Sequence, residues 1–390
     1  MRRFGLAIAG LAAALALTAC GGTGAGGGTT TPAPSSGGEQ SSAPAGDILV
    51  GVAMPTQTSE RWIADGDAVK AGLEEAGYKV DLQFANDDIP TQTQQIDAMI
   101  TGGADLLIIA AIDGTALTSQ LEAAAAKGIK VISYDRLIRD SANVDFYTTF
   151  DNYAVGVAQA TALLYGMGVT DKDGKATGSA EKGQNVELFA GSLDDNNAHF
   201  FWQGAIDTLQ PFLDDGTLVV KSGQTTIEQA ATLRWLQETA QKRMEDILTS
   251  TYGGTGKDLK GVLSPYDGIS RGIITALQGV GLGPTISDGL PIVSGQDAEI
   301  ASVKLIKDDI QHSTIFKDTR KLAAQAVTAA KAFLSGGTPE ANDTETYDNG
   351  VKVVPSYLLE VDTVYADNIQ QLLVDSGYWS AEEVESGVAK

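Results

Sequence analysis

The sequence predicts an α/β protein whose folded part contains two doubly wound parallel β-sheets. Short runs that are apolar throughout recur along the chain, and longer helical patterns separate them. Apolar strands that alternate with helices indicate parallel sheets covered by helices on both faces. The residues from 47 to 390 are more than one hydrophobic core usually accommodates, so two sheets fit better than one.

The first twenty residues have the composition of a signal peptide. Arg2 and Arg3 precede an apolar run, which is too short to span a bilayer comfortably and ends in the stretch LTAC at Cys20. This ending resembles the lipobox of bacterial lipoproteins, in which cleavage precedes the cysteine and the thiol receives lipid. The alternative is an ordinary secretory peptide with an incidental cysteine. We expect residues 1–20 to be a lipoprotein signal peptide and Cys20 to be lipidated, which anchors the protein on the extracytoplasmic face of the cell membrane.

Residues 21–46 consist almost entirely of Gly, Ser, Thr, Pro and Ala with a single charge, and this composition predicts a flexible tether. The formal net charge of −23 becomes −25 once Arg2 and Arg3 are removed with the signal. So acidic a protein repels nucleic acid and anionic lipid, which excludes both as partners. The acidic surface itself needs no role beyond solubility.

The chain offers few side chains for metal or redox chemistry. Cys20 is the only cysteine, which excludes a disulfide framework and a cysteine-cluster metal site. His199 and His312 are the only imidazoles, so a histidine-based zinc centre is not expected either. We therefore expect neither a metal nor a cofactor.

The elements follow one another as strand and helix. Strands are predicted at 48–54, 80–85, 105–111, 129–134, 186–191, 218–223, 261–266 and 291–295. Helices are predicted at 60–77, 91–103, 115–128 and 229–248. The polar stretch 170–184 is predicted to be an exposed loop.

Charged and polar residues follow many of these strands directly. They are Asp113, the pair Asp135 and Arg136, the run Asp194 to Asn197, Asp267 and Asp297. In open parallel sheets, ligands bind in the crevice beyond the carboxyl ends of the strands, so these residues predict one ligand cleft. Asp113, Asp267 and Asp297 are each explained equally well as N-caps of the following helix. Capping does not explain Arg136 or the run of four polar residues, and together the strand ends favour binding.

The chemistry of these residues points to a small ligand with many hydroxyl groups. A sugar hydroxyl donates and accepts, so carboxylates can accept its proton while Arg, Lys and Asn donate theirs. The apolar face of a pyranose also needs an aromatic platform. Trp62, beside Arg61, and Trp235, beside Arg234, are candidates, although a lone tryptophan on a helix is more often a core residue.

Several motifs extend this inference to a family. From about residue 48 to 380 the chain resembles the xylose-binding and ChvE-type multiple-sugar-binding proteins of ABC transporters. The matching stretches are ERW at 60–62, IIAAIDGT at 108–115, SYDRLIRDS at 133–141, GSLDDNNA at 191–198, LRW at 233–235, LSPYDG at 263–268, VSGQDAE at 293–299, IFKDTR at 315–320 and NGVKVVPSYLL at 349–359.

The resemblance implies the type I periplasmic-binding-protein fold, in which two Rossmann-like lobes joined by a three-strand hinge close on one monosaccharide. We expect residues 47–152 and 315–355 in the N-terminal lobe, and residues 153–314 and 356–390 in the C-terminal lobe. The residues expected to hydrogen-bond the sugar are Arg61, Asp135, Arg136, Asp195, Asn197, Asp267, Asp297 and Lys317, with Asp113 at a further strand end. Trp62 and Trp235 would sandwich its ring. Trp202 and Tyr266 stand where xylose binders have polar residues, which favours a broader aldose-binding branch.

The implied function is delivery of a monosaccharide, an aldose such as xylose, glucose, galactose or arabinose, to the permease of an ABC importer by a monomeric binding lipoprotein. A sugar sensor that docks on a membrane receptor kinase would need the same hinge and remains an alternative. A glycoside hydrolase with a carboxylate pair is a further alternative, but no Glu lies at these strand ends. A DNA-binding regulator would need a helix pair where the signal peptide and tether stand.

Overall fold

The computed structural model describes residues 47–390, so the predicted lipidation site Cys20 and the predicted tether 21–46 lie outside the described residues. The strands are β1 (Leu49–Met54), β2 (Lys79–Phe84), β3 (Leu106–Ile109), β4 (Lys130–Tyr134), β5 (Phe146–Phe150), β6 (Gln184–Leu188), β7 (Leu218–Val220), β8 (Leu259–Leu263), β9 (Ile292–Val293), β10 (Thr314–Phe316), β11 (Ser356–Leu359) and β12 (Asp362–Val364). The helices are α1 (Glu60–Glu75), α2 (Ile89–Thr101), α3 (Thr118–Ala126), α4 (Asn152–Gly166), α5 (Asn196–Asp214), α6 (Ile227–Ala230), α7 (Gln237–Thr251), α8 (Asp267–Gly279), α9 (Ile300–Lys307), α10 (Thr319–Leu334) and α11 (Ala381–Ser386). A short π-helix spans Gln370–Val374.

Two parallel sheets confirm the predicted fold class. The first has the order β11-β5-β4-β3-β1-β2, and all its strand pairs are parallel. The second has the order β7-β6-β8-β9 and is also parallel. The antiparallel pair β10 and β12 adjoins the second sheet, because Ile315 bridges to Gln296 in the loop after β9.

Each sheet buries an apolar core on both faces. In the first lobe, one core lies between the sheet and the helices α1 and α10, and the other lies under α2 and α3. In the second lobe, α4 and α5 cover one face, while α7 and α8 cover the other. This helix cover on both sides is why the strands read as continuous apolar runs. None of the helices in residues 47–390 combines the length and the apolar character that a membrane span requires.

The chain crosses between the lobes three times, and two crossings differ from the expected boundaries. The first lies at Asp151, between β5 and α4. The chain was expected to return to the first lobe at residue 315. In the structure it returns at 317–318, because Ile315 and Phe316 still pair with β12 in the second lobe. The chain was expected to leave the first lobe after residue 355. In the structure it stays there up to Leu359, because β11 pairs with β5.

The helix predicted at 229–248 is wrong as one element. The structure contains α6, a turn at Leu233–Trp235, and then α7. Arg234 and Trp235 have φ values of 55° and 59°, in the left-handed region that ends a right-handed helix. The loop at 170–184 is exposed for most of its length, as expected, and Lys172 within it pairs with Asp367.

Candidate functional site

A cavity of about 290 Å³ lies between the lobes at the carboxyl ends of the strands. Its volume is close to the lower end of the roughly 300–1,000 Å³ that small-molecule sites occupy. Residues of both lobes line it. The predicted site residues among them are Arg61, Trp62, Asp135, Arg136, Asp195, Asn197, Trp235, Asp297 and Lys317.

The start of α1 carries Arg61 into the cavity wall. Its Nε and Nη2 donate to Asp65 Oδ2 at 3.0 and 2.7 Å, and Nη2 also donates to Asp135 Oδ2 at 3.0 Å. Its Nη1 lies 3.7 Å from Asp297 Oδ1 in the other lobe. Burial would raise the pKa of Asp135, but the charges of Arg61, Lys317 and Arg136 outweigh it and lower that pKa. The Asp135 carboxylate is therefore ionised and held among cations.

Lys317 is a buried cation at the second crossing between the lobes. Its Nζ lies 3.1 Å from Asp297 Oδ1 and 3.9 Å from Asp135 Oδ2. The rings of Phe150 and Phe201 lie 5.7 and 5.5 Å from the same nitrogen. Lys317 therefore stands between carboxylates of both lobes, at a point of the chain that belongs to the hinge.

A second charged pair crosses the cleft. Arg136 Nε, after β4, lies 3.2 Å from Asp195 Oδ2, before α5. Asp195 is also the N-cap of α5, because its Oδ1 accepts from the Asn197 backbone N–H at 3.0 Å. Burial raises the pKa of Asp195, against the charge of Arg136. Capping and cavity lining are therefore compatible in one residue.

The Asn197 side chain is largely used by the protein itself. Its Nδ2 donates to the Asp135 carbonyl at 2.7 Å, while its Oδ1 accepts from the Tyr147 hydroxyl at 2.8 Å and from Asn152 Nδ2 at 3.0 Å. Asn197 thus joins the second lobe to the end of β4. Within the described chain, this leaves at most one of its amide hydrogens for a ligand.

The lobes also touch directly at the mouth of the cleft. Ser59 Oγ donates to Glu299 Oε1 at 2.7 Å, and Tyr266 donates to the same oxygen at 2.7 Å. Ser59 is the N-cap of α1, yet its side chain makes no capping hydrogen bond within that helix. The Gly114 backbone N–H donates to the Asp194 carbonyl at 3.2 Å on another part of the interface. The bonds from Ser59 and Gly114, which join the two lobes, make the described arrangement of the lobes a closed one.

The two predicted tryptophans have different surroundings. Trp62 is 5% exposed, and its ring is contacted by the guanidinium groups of Arg61 at 4.2 Å and Arg136 at 5.0 Å. Trp235 is half-buried and meets the rings of Phe201 and Tyr266 edge-on. Its indole Nε1 is buried without a hydrogen-bond partner in the described chain. The Trp62 ring is thus contacted by two cations, whereas the indole N–H of Trp235 has no hydrogen-bond partner among the described residues.

Two predicted site residues do not line the cavity. Asp113 accepts from the backbone N–H and the hydroxyl of Thr115, both at 2.8 Å, and closes a local turn. Asp267 is completely buried behind the wall and accepts from the Glu299 N–H, Gln311 Nε2 and the Thr314 hydroxyl at 2.9, 2.8 and 3.0 Å. Burial and the charge of Glu299 raise the pKa of Asp267 well above its usual range. Both residues therefore support loops and do not face the ligand space.

Several residues that line the cavity were not predicted from the sequence. They are Thr56, Thr58, Ser59, Asp87, Phe201, Arg234, Leu236, Gln237, Glu238, Gly268, Arg271 and Gln296. Gln296 lies directly before Asp297, so that motif contained a signal for it, whereas Thr56 and Asp87 lie in loops without one. Tyr266 lines the cavity, but Trp202 packs on the core under α5 and does not line it. Within residues 47–390, His, Cys, Asp and Glu side chains form no group of three suited to a metal ion.

The comparison with protein families identifies the class of the protein. Residues 50–338 match the periplasmic binding protein domain. The chain therefore belongs to the periplasmic binding protein family, and this confirms the resemblance seen in the motifs.

Several relatives are named as sugar-binding proteins or have structures with a bound sugar. The chain is 53% identical to the multiple sugar-binding periplasmic receptor ChvE of Rhizobium radiobacter, over 86% of this chain and 92% of the relative. It is 35% identical to the D-xylose-binding periplasmic protein of Escherichia coli, over 88% and 94%. A solute binding protein of Clostridium phytofermentans with bound β-D-glucose is 45% identical, with a TM-score of 0.80 over 86% of this chain and 99% of that one. A carbohydrate transporter solute binding protein of Chloroflexus aurantiacus, in complex with D-glucose, is 38% identical, with a TM-score of 0.75 over 86% and 98%.

Proposed function

We propose that this protein captures a monosaccharide, an aldose such as glucose or xylose, in the interlobe cavity and delivers it to the permease of an ABC importer. The observation that carries the proposal is the composition of the cavity wall. Buried carboxylates and cations from both lobes meet there beside aromatic rings. The bound sugars and names of the relatives favour an aldose over other ligands with many hydroxyl groups.

Each group then has a role that its chemistry allows. Asp135, Asp195 and Asp297 accept hydrogen bonds from sugar hydroxyls, while Arg61, Arg136 and Lys317 donate to sugar oxygens. Trp235 and Trp62 flank the apolar faces of the ring. Asn197 offers its remaining amide hydrogen. Asp113 and Asp267 are not part of this proposal, because they lie outside the cavity wall.

A calorimetric titration tests the function. The protein is titrated with D-glucose, D-xylose, D-galactose, L-arabinose and maltose. We expect saturable binding of at least one of the four monosaccharides and none of maltose, because about 290 Å³ leaves no room for a second pyranose. Incubation with labelled sugar, followed by product analysis, tests the hydrolase alternative, and we expect the sugar to be recovered unchanged. A protein that binds none of the four aldoses, or converts them, contradicts the proposal.

Binding is proposed to close the lobes about the three crossings. Asp135 and Arg136 belong to the first lobe, and Asp195 and Asp297 belong to the second, so a sugar completes its contacts only on closure. A ligand shifts such an equilibrium by its differential affinity for the two states. Small-angle scattering should show a smaller radius of gyration with D-glucose than without it, and much less change in Asp297→Ala. Tight binding without compaction would indicate a rigid pocket.

The family places the folded domain outside the cytoplasm, and lipid attachment at Cys20 is the finer proposal. Its support is the LTAC sequence, since Cys20 lies outside the described residues. Replacing Cys20 with Ala should move the protein from the membrane fraction to the soluble fraction. Stable anchoring requires more than one acyl chain, because a single chain binds only marginally. Equal membrane retention of the Ala variant would rule the anchor out.

Recognition of the closed form by a sensor kinase, in place of or beside the permease, is compatible with the same geometry. No feature of the described residues favours it over transport. Deletion of the permease gene separates the two roles, since transport would cease while sugar-dependent signalling would continue.

A further inference from the structure

Asp65, one turn beyond Arg61 on α1, is a buried carboxylate that the binding site contacts but does not include. It is 0% exposed and does not line the cavity. Arg61 Nε and Nη2 both donate to its Oδ2, at 3.0 and 2.7 Å. The Tyr134 hydroxyl donates to its Oδ1. Both carboxylate oxygens are therefore occupied by protein donors, and neither is free for a ligand.

These bonds leave one nitrogen of Arg61 available. Nη2 is shared between Asp65 and Asp135, and Nε is held by Asp65. Nη1 has no hydrogen bond to the described residues and lies 3.7 Å from Asp297 Oδ1 across the cleft. The guanidinium also lies over the Trp62 ring, with Cζ 4.2 Å from the ring centroid. The guanidinium is thus contacted by the Trp62 ring, and its two hydrogen bonds to Asp65 fix the direction in which Nη1 points.

Stability alone is a poor reason for this carboxylate. A buried ion pair is weak evidence for stability, because its desolvation penalty can exceed its Coulomb attraction. Burial raises the pKa of Asp65 to about 6, against the charge of Arg61, so the ionised form is held at a cost. An apolar residue would fill the same place without that cost. What an apolar residue cannot do is accept two hydrogen bonds from one guanidinium and fix its direction.

We propose that Asp65 is a positioning residue for ligand binding, which directs Arg61 Nη1 toward a sugar oxygen without touching the sugar. The proposal rests on the proposed function, because it takes the cavity to be the sugar site. It assigns a role in binding to a residue that lies wholly behind the cavity wall.

The titration of Asp65 gives this role a signature that a structural role would lack. The groups that face Asp65 are Arg61 on its own helix, Tyr134 and Asp135 from β4 and its end, and Tyr378 from the C-terminal segment. Protonation removes the charge that orients Arg61. The affinity for sugar should therefore fall as the pH drops through about 6, the pKa of Asp65.

The test uses Asp65→Asn in the full folded domain, titrated calorimetrically with D-glucose at pH values between 5 and 8. At pH 7.5 we expect the Kd to rise at least fivefold over wild type. The wild-type Kd should rise as the pH is lowered through about 6, whereas Asp65→Asn should lack this step and respond only through other groups of the cavity wall, such as Asp195. Glu187→Gln is the matched control. Glu187 is equally buried and accepts a hydrogen bond from the Tyr252 hydroxyl at 2.8 Å, but it lies outside the cavity wall, so its loss should leave the Kd and its pH profile unchanged.

Tyr134→Phe provides a second measurement that does not depend on how well Asp65→Asn folds. The Tyr134 hydrogen bond lowers the pKa of Asp65, so its removal should move the pH midpoint of binding upward. Wild-type affinity and pH profile in Asp65→Asn overturn the proposal, and so does an unmoved midpoint in Tyr134→Phe. A wild-type protein that binds no aldose overturns the proposed function and the positioning role together, and the wild-type titration alone reveals that case.

Discussion

The ends of β4 and β8 lie at the carboxyl edges of the two parallel sheets, one in each lobe, and each is followed by an almost completely buried aspartate. Asp135 after β4 is surrounded by Arg61, Arg136 and Lys317, and it lines the cavity. Asp267 after β8 is surrounded by an amide, a hydroxyl and a backbone N–H, and it lies behind the wall. The cations lower the pKa of Asp135, whereas burial and Glu299 raise the pKa of Asp267.

The difference shows that a carboxylate at a strand end can either line the cavity or support a loop that lines it. Burial does not distinguish the two roles, because both aspartates are buried. The charge of their neighbours does separate them. Cations keep Asp135 ionised for hydroxyl groups, while Asp267 ties the backbone of the loop 296–299 to the start of α8.

The largest effect is expected for Asp135→Ala. The change removes a carboxylate that Arg61 and Lys317 share, and breaking one side of a buried pair costs about 3–5 kcal/mol. We expect the affinity for D-glucose to fall by more than tenfold and the unfolding temperature to fall with it. Calorimetry and thermal unfolding measure the two effects. Unchanged affinity would show that Asp135 is structural like Asp267.

A smaller effect is expected for Asp267→Asn. Asparagine keeps one acceptor but turns an N–H toward a donor, and an unpaired buried polar group costs about 1–3 kcal/mol. The unfolding free energy should fall in that range, while the Kd for glucose should rise less than tenfold because the contact with sugar is indirect. A loss of affinity as large as in Asp135→Ala would place Asp267 in direct contact with the ligand.

The pH dependence of stability should separate the same two residues by sign. Because the pKa of Asp135 is lowered, its contribution is present above the usual value of 3.8 and is lost as the pH falls through the lowered value. Because the pKa of Asp267 is raised, its contribution is full below 3.8 and is lost as the pH rises through the raised value. Denaturant titrations should therefore show that Asp135→Asn destabilises most at neutral pH, and that the effect of Asp267→Asn grows toward acid. Parallel pH profiles would contradict this assignment.

A third strand end, the one after β6, allows direct contact with the sugar to be tested through an uncharged residue. A Cβ on Gly191 would lie 2.0 Å from the Trp235 ring, so Gly191→Ala must displace that ring. Aromatic pairs such as those of Trp235 with Phe201 and Tyr266 are worth about 0.5–1.5 kcal/mol, and a loss of that size in binding free energy corresponds to a loss of roughly twofold to twelvefold in affinity. Titration with glucose measures it, and Gly279→Ala is the control, since a Cβ there meets nothing within 4 Å. Equal affinities in both variants would show that Trp235 does not touch the sugar.

The smallest effect is expected for Asp113→Ala. Its carboxylate accepts two hydrogen bonds from Thr115 in a local turn, and it does not line the cavity. The glucose Kd should stay within twofold of wild type in the same titration. A tenfold loss would return Asp113 to the binding site and remove the distinction between local caps and cavity residues.

The sequence predicted the strands that form continuous apolar runs, because such runs report burial on both faces of a parallel sheet, but it missed β5, β10, β11 and β12. It could not separate Asp135 from Asp267, since the cations that distinguish them come from α1 and from the hinge. Nor could it predict the break at Arg234, because a left-handed residue costs roughly 1–2 kcal/mol. The contacts that accompany this conformation, with Asp194 at 3.0 Å and with Ser192 Oγ at 2.8 Å, come from another part of the chain. Asp65 was missed because spacing of four residues on a helix gives no sign of burial.

Backbone geometry carries a further signal that sequence lacks. In residues 47–390, non-glycine residues with positive φ are few, and those that also line the cavity are Asp87, Asp135, Arg234, Trp235 and Asp297. Such conformations are uncommon outside glycine and concentrate at functional sites. The positive φ of Asp135 and Asp297, at 59° and 91°, again sets them apart from Asp267, which begins a regular helix.

The three crossings have a consequence for the order in which the protein folds. The first sheet needs β11 at its edge, and the apolar face under α1 needs Leu322, Ala326 and Ala330 from α10. A chain that emerges with its N-terminus first completes the whole second sheet through β9 before these segments appear. Until then the half-built first lobe exposes a strand edge and an apolar surface, which are the features that promote association with other chains. The first lobe therefore remains prone to aggregation until its last residues have been synthesised.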